Sequence, residues 1–156
     1  MFKRKNLFVL AGIMVFLGGT RMLFPNSDQN RHLLMFKMEN PLPPCPNKPN
    51  CIRETRAFSS DQKQVFEAAL ASLKRWNGWF HRAEIVSQSI ESSKITATFR
   101  IGVFTDDFQI ALAEQSGQVY VHVRSASRLG HGDLGVNSRR VRTYFQHMKD
   151  ILTTSP

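Results

Sequence analysis

The residues best suited to chemistry lie in one run near the C-terminus, from Arg124 through Ser125, Ser127, Arg128, Gly130, His131, Gly132, Asp133, Gly135 and Asn137 to Arg139 and Arg140. Three glycines between positions 130 and 135 permit backbone conformations closed to other residues, as a tight loop needs when its amides approach something. Asn137 has the character of a helix N-cap, with Val136 and Val141 spaced as a hydrophobic staple. Arg139 and Arg140 then fall in a first helical turn, where the helix dipole disfavours cations, so a compensating anion is required. Asp133 could supply it from within by taking a bidentate arginine. A phosphate or carboxylate ligand at the helix N-terminus could supply it from outside, gripped by Arg128, Arg139 or Arg140. The residues expected to bind a ligand, if the anion is external, are Arg124, Ser125, Ser127, Arg128, Asp133, Asn137, Arg139 and Arg140.

Other reactive types are sparse. Asp106, Asp107 and Asp133 could serve a small hydrolase-like site with His122 or His131 as base. Adjacent residues on a strand point to opposite faces, however, so Asp106 and Asp107 do not make a dyad by themselves. No nucleophile elbow, phosphate loop or metal-ligand spacing is present, and neither a cofactor nor a metal is expected. The reading favoured is a non-enzymatic binding module, with the hydrolase as alternative. The two cysteines, Cys45 and Cys51, enclose a proline-rich loop and lack the partners that a zinc site needs. In an oxidising compartment they would form a local disulfide.

The elements that must position these residues follow from periodicity. Ser59 and Gln62 have the form of a capping box, and Val65, Phe66, Ala69, Leu70, Leu73 and Trp76 share one helical face before Asn77 and Gly78. Strands are expected over Ala83 to Ile90, over Lys94 to Val103, around Phe108, Ile110 and Leu112, and around Val119, Val121 and Val123. Val141, Tyr144, Phe145, Met148, Ile151 and Leu152 make a second helical face. The fold class is α+β, a two-layer sandwich of a four-stranded antiparallel meander with two helices on one face, preceded by an N-terminal membrane helix. Alternation puts Arg100, Gln109, Tyr120, His122 and Arg124 on the face turned away from the helices.

Lys3, Arg4 and Lys5 precede an apolar run from Leu7 to Gly19, the order of a signal peptide or signal anchor over residues 1–24. The basic leader orients the N-terminus to the cytoplasm. The expected location is the inner membrane, single-pass, with the domain in the periplasm, or secretion if the segment is cleaved. Residues 25–57, with Pro25, Pro41, Pro43, Pro44, Pro46 and Pro49, read as a tether ahead of a domain over 58–156. A chain of 156 residues with 42% apolar and 21% charged residues is one globular unit with attachments. Its net charge of +9 points to an anionic partner. Export argues against nucleic acid, leaving an anionic small molecule, a lipid headgroup or an envelope protein.

Three stretches carry a family resemblance: Cys45-Pro46 through Pro49-Asn50-Cys51, then Phe104 with Asp106-Asp107, then Arg124-Ser125, Ser127-Arg128, Gly130, Asp133, Gly135, Asn137 and Arg140. Together they resemble a bacterial and plastid family known as domain of unknown function 1499, over the chain from about Cys45 to the end. The resemblance implies the boundaries of a unit and no particular reaction. His131 stands where that pattern has an aromatic residue, a departure that argues against a catalytic histidine there.

Overall fold

The computed structural model describes residues 39–78 and 81–154. The basic and apolar leader over 1–24, and the tether as far as residue 38, lie outside the described residues. Among the described residues, no helix is long and apolar enough to cross a membrane. Met38–Pro156 forms a compact unit with a hydrophobic core of its own.

The element order is β1 (Cys51–Phe58), α1 (Gln62–Lys74), β2 (Arg82–Ser89), β3 (Lys94–Ile101), β4 (Phe104–Gln115), β5 (Gln118–Ser127) and α2 (Val136–Thr154). All strands lie in one antiparallel sheet of five, in the order β1-β5-β4-β3-β2. The expected meander is present as β2 to β5, but the sheet has one strand more than the sequence pattern predicts. Residues 51–57, read as the end of a tether, pair with β5 along their whole length, Cys51 with Ala126 and Phe58 with Val119. The strand is hidden in the sequence because its helix-side positions are not all apolar. Ile52 and Phe58 pack on the core, while Glu54 and Arg56 between them share that parity. Glu54 accepts from Arg56 at 2.7 Å, and the Arg56 guanidinium lies 4.5 Å from the Phe145 ring centre, so an edge strand keeps two charges beside a helix.

Helix α1 is capped by Asp61, whose carboxylate accepts from the Gln64 amide at 3.0 Å, and not by the Ser59 and Gln62 box that the sequence suggested. An ionised oxygen two residues nearer the helix displaces the hydroxyl. The helical faces are those expected: Val65, Phe66, Ala69 and Leu73 from α1 and Val141, Tyr144, Phe145 and Met148 from α2 are buried against Ile95, Phe99, Phe108, Ile110 and Val121 of the sheet. Ring contacts run through this layer from Trp76 to Phe99, Phe108, Tyr144 and Phe145, with centroids 5.0–5.6 Å apart, and end on Phe58 of β1 at 6.4 Å.

Cys45 and Cys51 are joined in a disulfide, which holds the chain entering β1 in a six-residue separation. The double substitution Cys45→Ser/Cys51→Ser is expected to lower the unfolding free energy by about 2 kcal/mol, the loop-closure entropy of so short a ring. Urea denaturation under oxidising conditions measures this, and a reductant should bring the parent protein to the same midpoint.

Candidate functional site

At one end of the sheet the layer facing the helices stops being apolar. Asp106 shares the parity of Phe108, Ile110 and Leu112 on β4, and Ser125 and Ser127 share that of Val119, Val121 and Val123 on β5. Asn137 and Arg140 reach this layer from the first turns of α2. Arg140 is the central group: its Nη2 donates to Asp106 Oδ2 at 2.6 Å, and its Nη1 donates to Asn137 Oδ1 at 2.7 Å and to Ser125 Oγ at 3.1 Å. The guanidinium also lies 4.5 Å from the Phe99 ring centre. Its side chain and that of Asp106 are only 2% and 5% exposed, so this is a buried ion pair. Burial draws Arg140 below its ordinary pKa, and the hydrogen bond and charge of Asp106, with the charge of Asp133, push back.

The ion pair of Arg140 is therefore made with Asp106 and not with Asp133. Asp133 serves the backbone instead. Its Oδ1 accepts from the Gly135 amide at 2.9 Å, and its Oδ2 accepts from the Asn137 amide at 2.8 Å and from Asn137 Nδ2 at 2.7 Å. Burial alone would raise the Asp133 carboxyl, but these donors outweigh it and hold the group below the usual aspartate value. The helix begins at Val136, so Asn137 lies inside the first turn and the capping carboxylate is that of Asp133. The staple of Val136 and Val141, which depended on an Asn137 cap, falls with it.

The clasp joins the same network. Asn137 Nδ2 also lies 3.0 Å from the Asn50 carbonyl and 2.9 Å from Ser127 Oγ, the Ser127 amide donates to that carbonyl at 3.0 Å, and Asn50 Nδ2 donates to the Gly130 carbonyl at 2.8 Å. A Cβ on Gly132 would meet Pro49 at 3.8 Å. Three stretches far apart in sequence, Pro49-Asn50-Cys51, Asp106-Asp107 and Arg124 to Arg140, thus close on one another.

Beside the network opens a cavity of about 390 Å³, walled by Ile101, Phe104, Leu129, Leu134 and Val136, with Thr105, Asp106, Ser127 and Asp133 among its polar members. Its volume is within the range of small-molecule sites. The lips are bare hydrocarbon: Phe104 is 56%, Leu129 67%, Leu134 95% and nearby Val103 89% exposed. Leu134 is moreover held at φ +51°, a left-handed conformation that costs a leucine energy.

The remaining predicted residues divide by face. Asp107 points to the outer face, where Arg128 donates to its Oδ1 from Nε at 3.0 Å and from Nη2 at 2.7 Å. Arg124 shares that face and reaches Gln109 Oε1 at 3.4 Å. Arg139 is exposed, is not part of the cavity lining, and donates to the carbonyl of Leu134, which is. Asp107 therefore lies apart on the outer face, while Asp106 and Asp133 both line the cavity with separate hydrogen-bond partners. His131 is exposed, and His122 is buried on the outer face beside Thr55. Among the described residues no group of His, Cys, Asp and Glu could hold a metal ion.

The family model described as a protein of unknown function, DUF1499, matches residues 41–148, from the clasp to the middle of α2. The chain belongs to that family. No curated protein matches the sequence. Among solved structures, the DUF1499 domain resembles MLL2253 of Mesorhizobium loti, with 7% identity, a TM-score of 0.55, and coverage of 68% of this chain and 98% of the other. It also resembles DynU16, from the dynemicin biosynthetic locus, with 12% identity, a TM-score of 0.53, and coverage of 67% and 48%. At these identities the likeness is one of fold.

Two participants escaped the sequence reading. Asn50 lay in the supposed tether, and Asp106 was weighed for a strand start or a catalytic pair, although the parity of Phe108 and Ile110 already put it on the core face. Replacing Arg140 by Met should cost about 3–5 kcal/mol by stranding the Asp106 charge, and Asp106→Leu/Arg140→Met should recover most of that loss in urea denaturation. A carboxyl held below its unfolded value stabilises the fold above that value and stops doing so as pH falls through the folded one. The melting temperature of the parent should therefore fall in acid below about pH 4 more steeply than that of Asp133→Asn.

Proposed function

We propose that this DUF1499 protein is a non-enzymatic binding module of the cell envelope that takes an amphipathic anion at the clasped end. The apolar part of the ligand enters the cavity between Phe104, Leu129 and Leu134, and its anionic end meets Arg139, which is anchored beside the cavity on the Leu134 carbonyl. The observation that carries this reading is the strained, 95% exposed Leu134 beside a cavity walled largely by hydrocarbon. The buried Arg140 and Asp106 pair then has a supporting part, as the rigid wall against which the loop is set. Arg124, Ser125, Ser127, Asp133 and Asn137, expected from the sequence to touch a ligand, fall to positioning in this reading, since their polar atoms are engaged within the protein or turned to the other face.

The envelope location rests on two supports. The leader of Lys3, Arg4 and Lys5 followed by an apolar run has the order of an export signal or single-pass anchor, N-terminus inward. A disulfide between Cys45 and Cys51 persists in oxidising compartments and is rare in the cytosol. A long-chain carboxylate or a phospholipid combines the two halves of the required chemistry, and neither a cofactor nor nucleic acid is called for.

The test uses the compact unit Met38–Pro156, titrated with a fluorescent long-chain fatty acid and with its uncharged alcohol. The acid should bind more tightly than the alcohol, and Arg139→Gln should erase that preference. Leu134→Asn should weaken both while raising stability by up to about 1 kcal/mol, because asparagine tolerates a positive φ. Equal binding by parent and both variants would return the cavity to the status of a packing gap.

A further inference from the structure

The outer face of the sheet carries a second group of polar side chains, away from the cavity. Arg53 of β1 stands opposite Arg124 of β5 in the antiparallel register, and Thr55 stands opposite His122. All four share the face turned from the helices. Like charges directly opposite one another on one sheet face repel. Among the described residues neither guanidinium has an ion pair. Arg53 Nη2 donates to the Asn40 carbonyl, and Arg124 Nη1 lies 3.4 Å from Gln109 Oε1, both uncharged acceptors.

Five buried side-chain polar atoms lack a hydrogen-bond partner among the described residues, and three of them are here: Arg53 Nε, Arg124 Nε and His122 Nε2. His122 is fully buried. Thr55 Oγ1 accepts from Asn40 Nδ2 at 3.3 Å and lies 2.9 Å from His122 Nδ1. An anion site here requires the tautomer in which the Thr55 hydroxyl donates to Nδ1 and the ring proton of a neutral imidazole sits on Nε2. Burial, and then the charge of Arg53, keep the ring toward that neutral form. Three nitrogens are thus buried on this face, two of them on cations, with no partner among the described residues. Buried polar groups of native proteins are almost always satisfied, so a cluster of three exceptions calls for an acceptor.

We infer that Arg53, Arg124 and His122 form an oxyanion-binding site on the outer sheet face, filled by a phosphate or carboxylate group. Two guanidinium forks and an imidazole N–H match an acceptor with several oxygens and a negative charge. The site is independent of the cavity, which lies at the sheet end beside Asp106 and Asp133. Free phosphate and a phospholipid headgroup present the same chemistry here.

The experiment again uses Met38–Pro156, with inorganic phosphate, succinate and dihexanoyl phosphatidate as probes and chloride at matched ionic strength as control. Melting temperature and the ring resonances of His122 are followed. The expected result is a rise in melting temperature with at least one oxyanion, a shift of the His122 resonances and none of His147, and binding weakened at least tenfold in Arg124→Gln. Arg142→Gln, which removes an exposed arginine of α2, should bind within twofold of the parent. Without oxyanion, Arg124→Gln should melt no lower than the parent, since it removes one of two opposed charges. Should that variant fail to fold, Arg124→Lys, which keeps the charge and loses the Nε donor, is expected to show the same tenfold loss. A shift of the His122 resonances that saturates at a lower concentration of phosphatidate than of phosphate assigns the site to a lipid headgroup, and equal saturation assigns it to a free anion. No effect of any oxyanion beyond that of chloride, or undiminished binding by the Arg124 variants, overturns the inference.

Discussion

The buried pair of Arg140 and Asp106 sets the terms for everything at the clasped end. A guanidinium removed from water must have its donors met, and here one carboxylate, one amide oxygen, one hydroxyl and the face of Phe99 meet them. These partners come from β3, β4, β5 and α2, so the pair fixes the helix axially and in rotation about its own axis against three strands. Hydrocarbon packing at the same place would tolerate sliding; a pair of this kind does not. Asn137 then extends the constraint to Asn50, Ser127 and Asp133, and through them to the clasp and the glycine loop.

That rigidity explains how the loop can carry features that lower stability. Leu134 is held in a left-handed backbone with its side chain in water, between the glycines at 132 and 135 and against a helix end capped by Asp133. A loop free to relax would turn such a residue inward or change its backbone. Under the proposed function the polar layer gives position and the apolar lips give contact surface.

Much of this was legible in the sequence, and the losses have physical causes. The two helical faces and the four-strand meander follow from regular apolar spacing, and they are present as expected. Strand β1 was missed because Glu54 and Arg56 occupy helix-side positions, which is permitted at an edge where long side chains reach water along a neighbouring helix. The demand for an anion near Arg139 and Arg140 was sound electrostatics, but the internal candidate weighed for it, Asp133, was the aspartate near in sequence. The true partner is 34 residues away on β4. Strand parity could have found it, since an aspartate in step with Phe108 and Ile110 must be paired. The outer cluster was half visible: His122 and Arg124 were placed correctly, while Arg53 belongs to the unseen strand.

The placement of β1 also bears on how the chain reaches its folded state. Its hydrogen-bonding partner is β5, and Asn50 bonds to Asn137 across 87 residues. The first strand to leave a ribosome therefore has no place to dock until nearly all the rest has followed. Closing such a long loop is slow compared with forming helices or hairpins. Under the export proposed above, that delay is useful, because the segment that follows residues 1–24 cannot lock into tertiary structure while the remainder is still being made. The fold would then be completed on the far side, where the oxidation of Cys45 and Cys51 can fix the entrance to β1 in place.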